Sequence, residues 1–474
     1  MNTSFILDDL KSSFVVFLVA LPLCLGIALA SGAPLSSGII AGIVGGVIVG
    51  FLSGSSISVS GPAAGLTVIV ATGIKDIGGF QNFGTVILIA GLIQVLFSLF
   101  KGGSIGEFFP VAVIKGMLAA IGLILIIKQL PIIFGATSLS SLGVSYSSEI
   151  LLLSCLSLAI MILWEKLATR GIKVFKLIPG ALVAVVASVA FNSLFKLVDS
   201  GHLVKLPSNL FSNFYIPAFD RINLSVLSIS LTIAVVASLE SLLSIDAADK
   251  IDPDKRTTNK NRELFAQGIG NAVSGLLGGL PVTAVIVRTS ANVTAGAKTK
   301  SSAVLHGAWL LLSVLFIPNF LNSIPLATLA CVLLLVGYKL TKPGLYIEMW
   351  KRGADQLLIF MVTIGSILAT DLLKGIFIGL AVALIFELKK PAIKCMLVVR
   401  EEGKLHVRFV NNVSFLHKPQ IMKLLNELGE IREVHLHGLH LVRVHVDVHE
   451  YILNYHEEAK KRNLSVIFVD KDAA

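Results

Sequence analysis

The 474-residue chain is 55% hydrophobic and only 14% charged, where a soluble domain carries about 25% charged residues. That composition excludes a water-soluble globular protein and a disordered one, and the net charge of +10 must be placed by topology before it says anything about partners. The four cysteines, Cys24, Cys155, Cys331 and Cys395, show no zinc or disulfide spacing and read as small core residues.

Apolar blocks fall at 14–30, 37–52, 62–74, 84–100, 110–133, 149–168, 178–195, 225–245, 263–277, 287–297, 303–320, 325–340, 355–370 and 372–388. Fourteen blocks predict an all-α polytopic membrane protein, since about 20 apolar residues cross the hydrocarbon core. The first run, Phe14–Ala30, follows acidic Asp8 and Asp9 and ends without a clean A-x-A site, so it reads as a span and not as a cleaved signal peptide. An even count places both termini on one side. Basic clusters at Lys166–Lys176, Lys250–Arg262, Lys298–Lys300, Lys339–Arg352 and Lys389–Arg400 then all fall inside, whereas Gly135–Ser148 has no Lys or Arg. Both termini are therefore expected in the cytoplasm, and the basic surplus reads as topology and not as nucleic-acid binding.

Two blocks are too short to span at 1.5 Å per residue: the third, 62–74, and the tenth, 287–297. Each follows a strand-like stretch, "SSISVSGP" and "PVTAVIV". Lipid cannot satisfy an unpaired backbone, so the two stretches are expected to satisfy each other. Small residues, Gly61, Ala63, Ala64 and Gly65 on one side and Thr289, Ser290 and Ala291 on the other, allow that approach. Paired, interrupted spans at matching places in two halves predict a transporter of 7+7 inverted repeats; two ordinary kinked core helices are the plainer alternative.

Within the tenth span, Arg288 is the lone charge of "GGLPVTAVIVRTSANVTAG". A helix beginning near Val287 places it in the first turn, and Pro62 is expected at the first helical position of the third span. Two helix N-termini beside a guanidinium suit an oxyanion. An isolated arginine in the bilayer is costly, which predicts a partner. Glu240 of "VASLESLLSIDAADK" is the candidate, with Ser244 one turn on along the same face. Such a pair serves either a purely structural role or substrate binding and coupling. His306 reads as a hydrogen-bonded core histidine, Asp371 and Lys374 as a water-facing span boundary, and "DKIDPDKRTTNKNRE" as a solvated loop.

After about Pro391 the chain turns polar. "KLHVRFVNNVSF" reads as a strand or two with a bend, "HKPQIMKLLNELG" as a short helix ended by Gly429, "IREVHLHG" as a strand, "VDVHEYILNYHEEAKKRN" as a helix and "LSVIFVD" as a final strand. This predicts a small α/β domain at 391–474 behind a membrane domain at 1–390. Eight of the ten histidines lie there. His445 and His449 are four apart, and His435 and His437 share a strand face. They read as surface or oligomer contacts; a metal site on neutral imidazoles is the lesser alternative, with no cysteine-containing or clean four-ligand pattern to support it, and none is predicted.

The chain resembles the SulP (sulfate permease) anion transporters along nearly its whole length. The resemblance rests on "FVVFLVALPLCLGIALASGAP", on "VSGPAAG" and above all on "NRELFAQGIGNAVSGLLGGLPVTAVIVRTSANVTAGAKTKSSAVLHG". It implies fourteen helices in two inverted seven-helix repeats, split into core and gate, in the cytoplasmic membrane, with a homodimer expected. The substrate would lie between the facing ends of the third and tenth helices. By position, Gly61, Pro62, Ala63 and Ala64 match one end of that site, Val287, Arg288 and Thr289 the other, and Leu23 and Ile27 the first-helix wall. Glu240 and Ser244 match positions that ligate the cation in sodium-driven bicarbonate members. Leu23 and Val287 stand where many members have polar residues, which shifts binding toward backbone N–H groups. The sodium-coupled pattern lacks this arginine, so proton symport and anion exchange stand beside sodium coupling; no cofactor is implied beyond a coupling ion, H⁺ or Na⁺. The tail resembles a shortened STAS domain whose Asp447 region lacks the adjacent serine of a phosphorylation switch.

The function expected is secondary active transport of a small inorganic anion of the bicarbonate or sulfate class. A nucleobase permease of the same broad architecture is the nearest rival, although its site would want carboxylates for a ring edge. A passive anion channel has the same sequence signature. An enzyme is not expected, because neither H-E-x-x-H nor G-x-S-x-G occurs.

Overall fold

Each apolar block overlaps a helix. The computed structural model describes residues 3–104, 109–136, 138–141, 146–170, 175, 178–207, 222–388, 395–401, 404–426, 428, 431–439, 442, 444–461 and 464–469. Among them, seven helical stretches are long and apolar enough to cross a membrane: Ile6–Ala30, Leu35–Leu52, Phe80–Leu99, Val111–Phe134, Ser148–Thr169, Leu224–Ile251 and Leu326–Lys351. Three further apolar helices, Gly180–Phe195, Ser301–Phe316 and Ala354–Ala369, are shorter.

By contact density the chain divides into two compact units, Met1–Gly103 with Ile121–Thr341, and Ser104–Ala120 with Lys342–Ala474. The first holds α1 (Thr3–Ala30), α2 (Leu35–Val44), β1 (Ser60–Pro62), α3 (Thr67–Asp76) and α4 (Phe80–Leu99). After α5 (Val111–Phe134), within which the division falls, it continues with α6 (Ser148–Thr169), α7 (Gly180–Phe195), α8 (Leu224–Ile251) and α9 (Lys260–Leu276). It closes with β2 (Val282–Ala284), α10 (Ile286–Thr294), α11 (Ser301–Phe316) and α12 (Leu326–Leu340). Helix starts follow local chemistry. Ser147, Asn223 and Asn259 accept a backbone N–H at the openings of α6, α8 and α9.

Glycine sets the closest helix contacts. Gly84 and Gly91 on α4, like Gly268 and Gly275 on α9, are spaced seven apart and so share a face. A Cβ on Gly91 would lie 2.4 Å from Ala272 N, and one on Gly275 would lie 2.6 Å from Gly84 O. These two helices therefore meet backbone to backbone. Helix α2 runs on through a π turn, Gly45–Val49. There a Cβ on Gly45 would meet the Ser60 carbonyl at 2.6 Å and one on Gly46 would meet Gly307 Cα at 2.6 Å. The π turn thus presses α2 against β1 and α11.

The second unit includes α13 (Pro343–Lys351), opened by Pro343, then α14 (Ala354–Ala369) and α15 (Leu372–Leu388). It ends in an α/β piece: β3 (Met396–Glu401), β4 (Lys404–Phe409), α16 (Lys418–Asn426), β5 (Glu433–His437), α17 (Val446–Lys461) and β6 (Ser465–Val469). The sheet order is β3-β4-β5-β6, with β3 antiparallel to β4 and the rest parallel. Alternate residues Leu405, Val407, Val434 and Leu436 join Ile421, Leu425 and Ile452 of the two helices in one core. The edge strand β3 adds to the predicted strand–helix–strand–helix–strand pattern. The expected boundary at 390 and the predicted helix stop at Gly429 lie outside the described residues.

The α/β piece is tied to helix ends within its own unit. Asp447, buried, accepts from Val111 N at 3.0 Å and lies 3.5 Å from Arg352 Nη1. Arg352 also reaches Glu450 at 2.9 Å and Glu348 at 3.1 Å. His445 precedes α17 instead of sharing a helix face with His449, and bonds Gln356 at 3.1 Å. Asp371 and Lys374 form an exposed pair at 2.9 Å. In the first unit, the loop expected to be simply solvated is tied down: Asp249 accepts from Thr258 N at 2.8 Å, and buried Asp252 from Arg256 Nε at 2.8 Å.

Candidate functional site

The two strand-like stretches pair with each other. β1 and β2 are antiparallel, with Ser60 opposite Ala284, Gly61 opposite Thr283 and Pro62 opposite Val282. Val285 N extends the ladder to Val59 O at 3.0 Å. In this register α3 departs from one end of the ribbon and α10 from the other, so both helices begin at it. Several of the ribbon's remaining polar groups are met by side chains. Asn271 on α9 acts as a third strand, donating to Val282 O at 2.9 Å and accepting from Val282 N at 2.6 Å. Ser241 accepts from Ala284 N, Gln267 donates to Ser60 Oγ, and Asn292 donates to Ile57 O. Buried irregular backbone in a membrane protein requires such partners.

Pro62 is not the first residue of α3. It ends β1, Ala63 remains extended, and the helix opens through a 3₁₀ turn at Ala64–Leu66. Proline's fixed φ suits a strand end as well as a first helical turn, and the β pairing decides. Arg288 does lie in the first turn of α10, which starts at Ile286. Neither half-helix has a side-chain cap: the preceding residues are Leu66 and Val285. In α3 the 3₁₀ entry satisfies the opening donors, with Leu66 N bonded to Ala63 O and Thr67 N to Ala64 O, whereas in α10 Thr289 N reaches Val285 O and the N–H groups of Ile286, Val287 and Arg288 have no intrahelical acceptor.

Arg288 is fully buried. Its Nη2 lies 3.3 Å from Cys24 Sγ on α1, while Nε and Nη1 have no hydrogen-bond partner among the described residues. The expected ion pair with Glu240 does not form, and no acidic group lies within 4 Å of the guanidinium among those residues. Glycine contacts explain the separation. A Cβ on Gly61 would lie 1.9 Å from Arg288 Nη1, and one on Gly65 would lie 1.4 Å from Glu240 Oε1. Each charged head is seated against a different glycine of the β1–α3 stretch. Glu240 is buried and without a hydrogen-bond or ionic partner among the described residues, and Ser244, one turn on, is half-buried. Leaving a buried donor unmet costs about 1–3 kcal/mol, so two unmet guanidinium nitrogens mark a place the fold tolerates at a cost.

The other predicted residues fall around this point. Thr289 is buried; its Oγ1 accepts from Val59 N at 3.1 Å and donates to Val285 O at 2.9 Å, so its hydroxyl is committed to the ribbon. Leu23 and Ile27 are buried on α1. Leu23 and the half-exposed Val287 line a largely apolar cavity of about 600 Å³ between α1, α6, α10 and α12. Gly61, Pro62, Ala63, Ala64, Arg288, Thr289, Glu240 and Ser244 do not line it. His306 on α11 is buried, but neither ring nitrogen has a hydrogen-bond partner among the described residues, against the expected bonded core histidine. Sequence reading also missed Asn271, Gln267 and Ser241. Amide side chains at 267 and 271, one turn apart in a membrane segment, were the available signal.

Residues 6–363 match the model of the sulfate permease family. The chain belongs to this family. Sulfate permease family members are membrane anion transporters and not enzymes, so this is an integral membrane protein with a small anion as substrate. It is 30% identical over 402 residues to "Putative sulfate transporter YvdB" of Bacillus subtilis (strain 168), covering 81% of this chain and 73% of that one. It is 29% identical over 396 residues to "Bicarbonate transporter BicA" of Synechocystis sp., covering 81% and 70%. Among solved structures, the transmembrane domain of a cyanobacterium bicarbonate transporter BicA superposes with a TM-score of 0.70 at 25% identity, covering 81% of this chain and 98% of that one. The nucleobase-permease alternative finds no support among these relatives.

Proposed function

We propose that this sulfate permease family protein is a secondary active transporter of a small oxyanion, bicarbonate or sulfate in class. The anion binds between the starts of α3 and α10, held by Arg288 Nε and Nη1 and by the backbone N–H groups of Ala63, Ala64, Val287 and Arg288, with Gly61, Pro62 and Thr289 shaping the site and Leu23 and Ile27 as the apolar wall. One observation carries this reading: two donors of a buried guanidinium have no partner among the described residues and stand beside two helix starts without side-chain caps. Glu240, with Ser244, serves coupling to H⁺ or Na⁺, since its carboxylate is buried, has no partner among the described residues and lies against Gly65 at the entry to α3. Fourteen spans arranged as 7+7 inverted repeats would move the ribbon-bearing core against the remaining helices in alternating access. A transport domain at 1–390 and a short STAS-like domain at 391–474 complete the chain. It sits in the cytoplasmic membrane as a homodimer, with both termini in the cytoplasm.

The test is uptake of radiolabelled sulfate and of bicarbonate into proteoliposomes under imposed sodium, proton and chloride gradients. Gradient-driven accumulation of one anion is expected, and Arg288→Ala abolishes it while remaining monodisperse in detergent. Full uptake by that variant overturns the assigned role, and unitary conductance without accumulation would make the protein a channel.

A further inference from the structure

The sheet of the second unit carries a histidine constellation that the transport reading leaves unused. The parallel register sets His406 on β4 opposite His435 on β5. Strand periodicity then puts His437 on the same face. Leu405, Val407, Val434 and Leu436 point the other way into the core, so the three imidazoles stand on the outer face. That face is open: its neighbours Val399 and Ile467 are 53% and 38% exposed.

One nitrogen from each of the three rings lies within 4.8 Å of the other two. His406 Nδ1 and His437 Nε2 are 3.1 Å apart, and the His406 and His435 rings stack at 4.6 Å. Tetrahedral zinc with bonds of about 2.0–2.1 Å spaces its nitrogen ligands about 3.3 Å apart, so the rings need only small rotations. Two carboxylates stand behind them. His435 Nε2 lies 2.8 Å from Glu433 Oε1, and His406 Nε2 lies 3.7 Å from Glu401 Oε2. A ligating histidine commonly gives its second nitrogen to a carboxylate, which fixes the ring and makes it a better donor. Lys404 and Arg408 share the face, and Lys404 is engaged by Glu433 Oε2 at 3.4 Å.

We propose that His406, His435 and His437 form a binding site for a divalent transition-metal ion of the zinc class, with water completing the coordination. His406, 29 residues before His435, joins His435 and His437 only through the parallel register, which the sequence alone does not display. Imidazole ligands select borderline metals over calcium or magnesium. Such an ion would stitch β4 to β5.

The test uses the full-length protein in detergent, its affinity tag removed and any metal stripped by chelator, titrated with Co²⁺ and followed by visible absorption. The expected result is one saturating equivalent with the intense bands of four-coordinate cobalt, displaced by Zn²⁺. His406→Ala and His437→Ala abolish those bands. Glu433→Gln, which leaves all three ligands in place, weakens binding by about 10- to 100-fold. His449→Ala, at an exposed position on α17, leaves the titration unchanged. Absence of saturable uptake, or uptake that survives His406→Ala and His437→Ala together, overturns the site.

Discussion

Adding one methyl group at Gly61 separates the proposed anion site from the fold that carries it. The new Cβ would fall 1.9 Å from Arg288 Nη1 and 2.8 Å from Cζ, and ordinary contact begins at 3.4 Å, so the guanidinium must retreat by about 1.5 Å. The obstructing atoms are the free end of a flexible side chain, and Gly61 does not have a positive φ. Gly61→Ala is therefore expected to keep the ribbon paired and the protein folded. What it removes is the placement of Nη1. A hydrogen bond involving a charged group contributes about 1.5–3 kcal/mol, which corresponds to about a 10- to 150-fold rise in the half-saturating anion concentration. Proteoliposome uptake measured across anion concentrations reads this directly, with thermal unfolding in detergent as the control for fold. Gly45→Ala makes the contrast, because its Cβ meets the Ser60 carbonyl at 2.6 Å and backbone cannot swing aside; loss of folded protein is expected there. Unchanged anion affinity in folded Gly61→Ala would refute the assignment of Nη1 to the substrate.

Asn271→Leu strips both hydrogen bonds from Val282 and leaves a buried N–H and carbonyl unmet, at about 1–3 kcal/mol each. The expected outcome is a lower unfolding temperature in detergent together with lost uptake; a stable, active variant would show that the ribbon does not need its third edge. Arg352→Gln removes the cation facing buried Asp447 and also Glu450. Limited proteolysis is expected to cut the α/β piece faster, and Asp447→Asn combined with Arg352→Gln to restore part of the resistance. Equal cleavage of Arg352→Gln and the parent protein would show that the ion pairs do not hold this end.

The broken spans were legible because membrane physics forbids what they appeared to be. Strand-forming residues beside blocks too short to cross left mutual pairing as the consistent solution, and Ser60–Pro62 does pair with Val282–Ala284. Arg288 stood out for the same reason, as a lone charge in an apolar run. The details that failed depend on close contacts. Pro62 suits either a strand end or a helix start, and only the ladder chooses. Arg288 and Glu240 were natural partners by charge, but Gly61 and Gly65 give each head its own seat, and no spacing in the chain reports that. Asn271 and Gln267 looked like ordinary polar residues in a span until the strand they edge was known. The histidine face of the sheet depends on which strands run side by side, information that a single strand's alternation does not contain.

The contact between α4 and α9 has a mechanical consequence. With Gly84, Gly91, Gly268 and Gly275 bringing the two main chains together, there is no layer of side chains between them to shear. Because α9 also grips the ribbon through Asn271, pushing the ribbon pushes the whole welded pair. On the proposed alternating-access reading, the ribbon would then travel with this block as one stiff body.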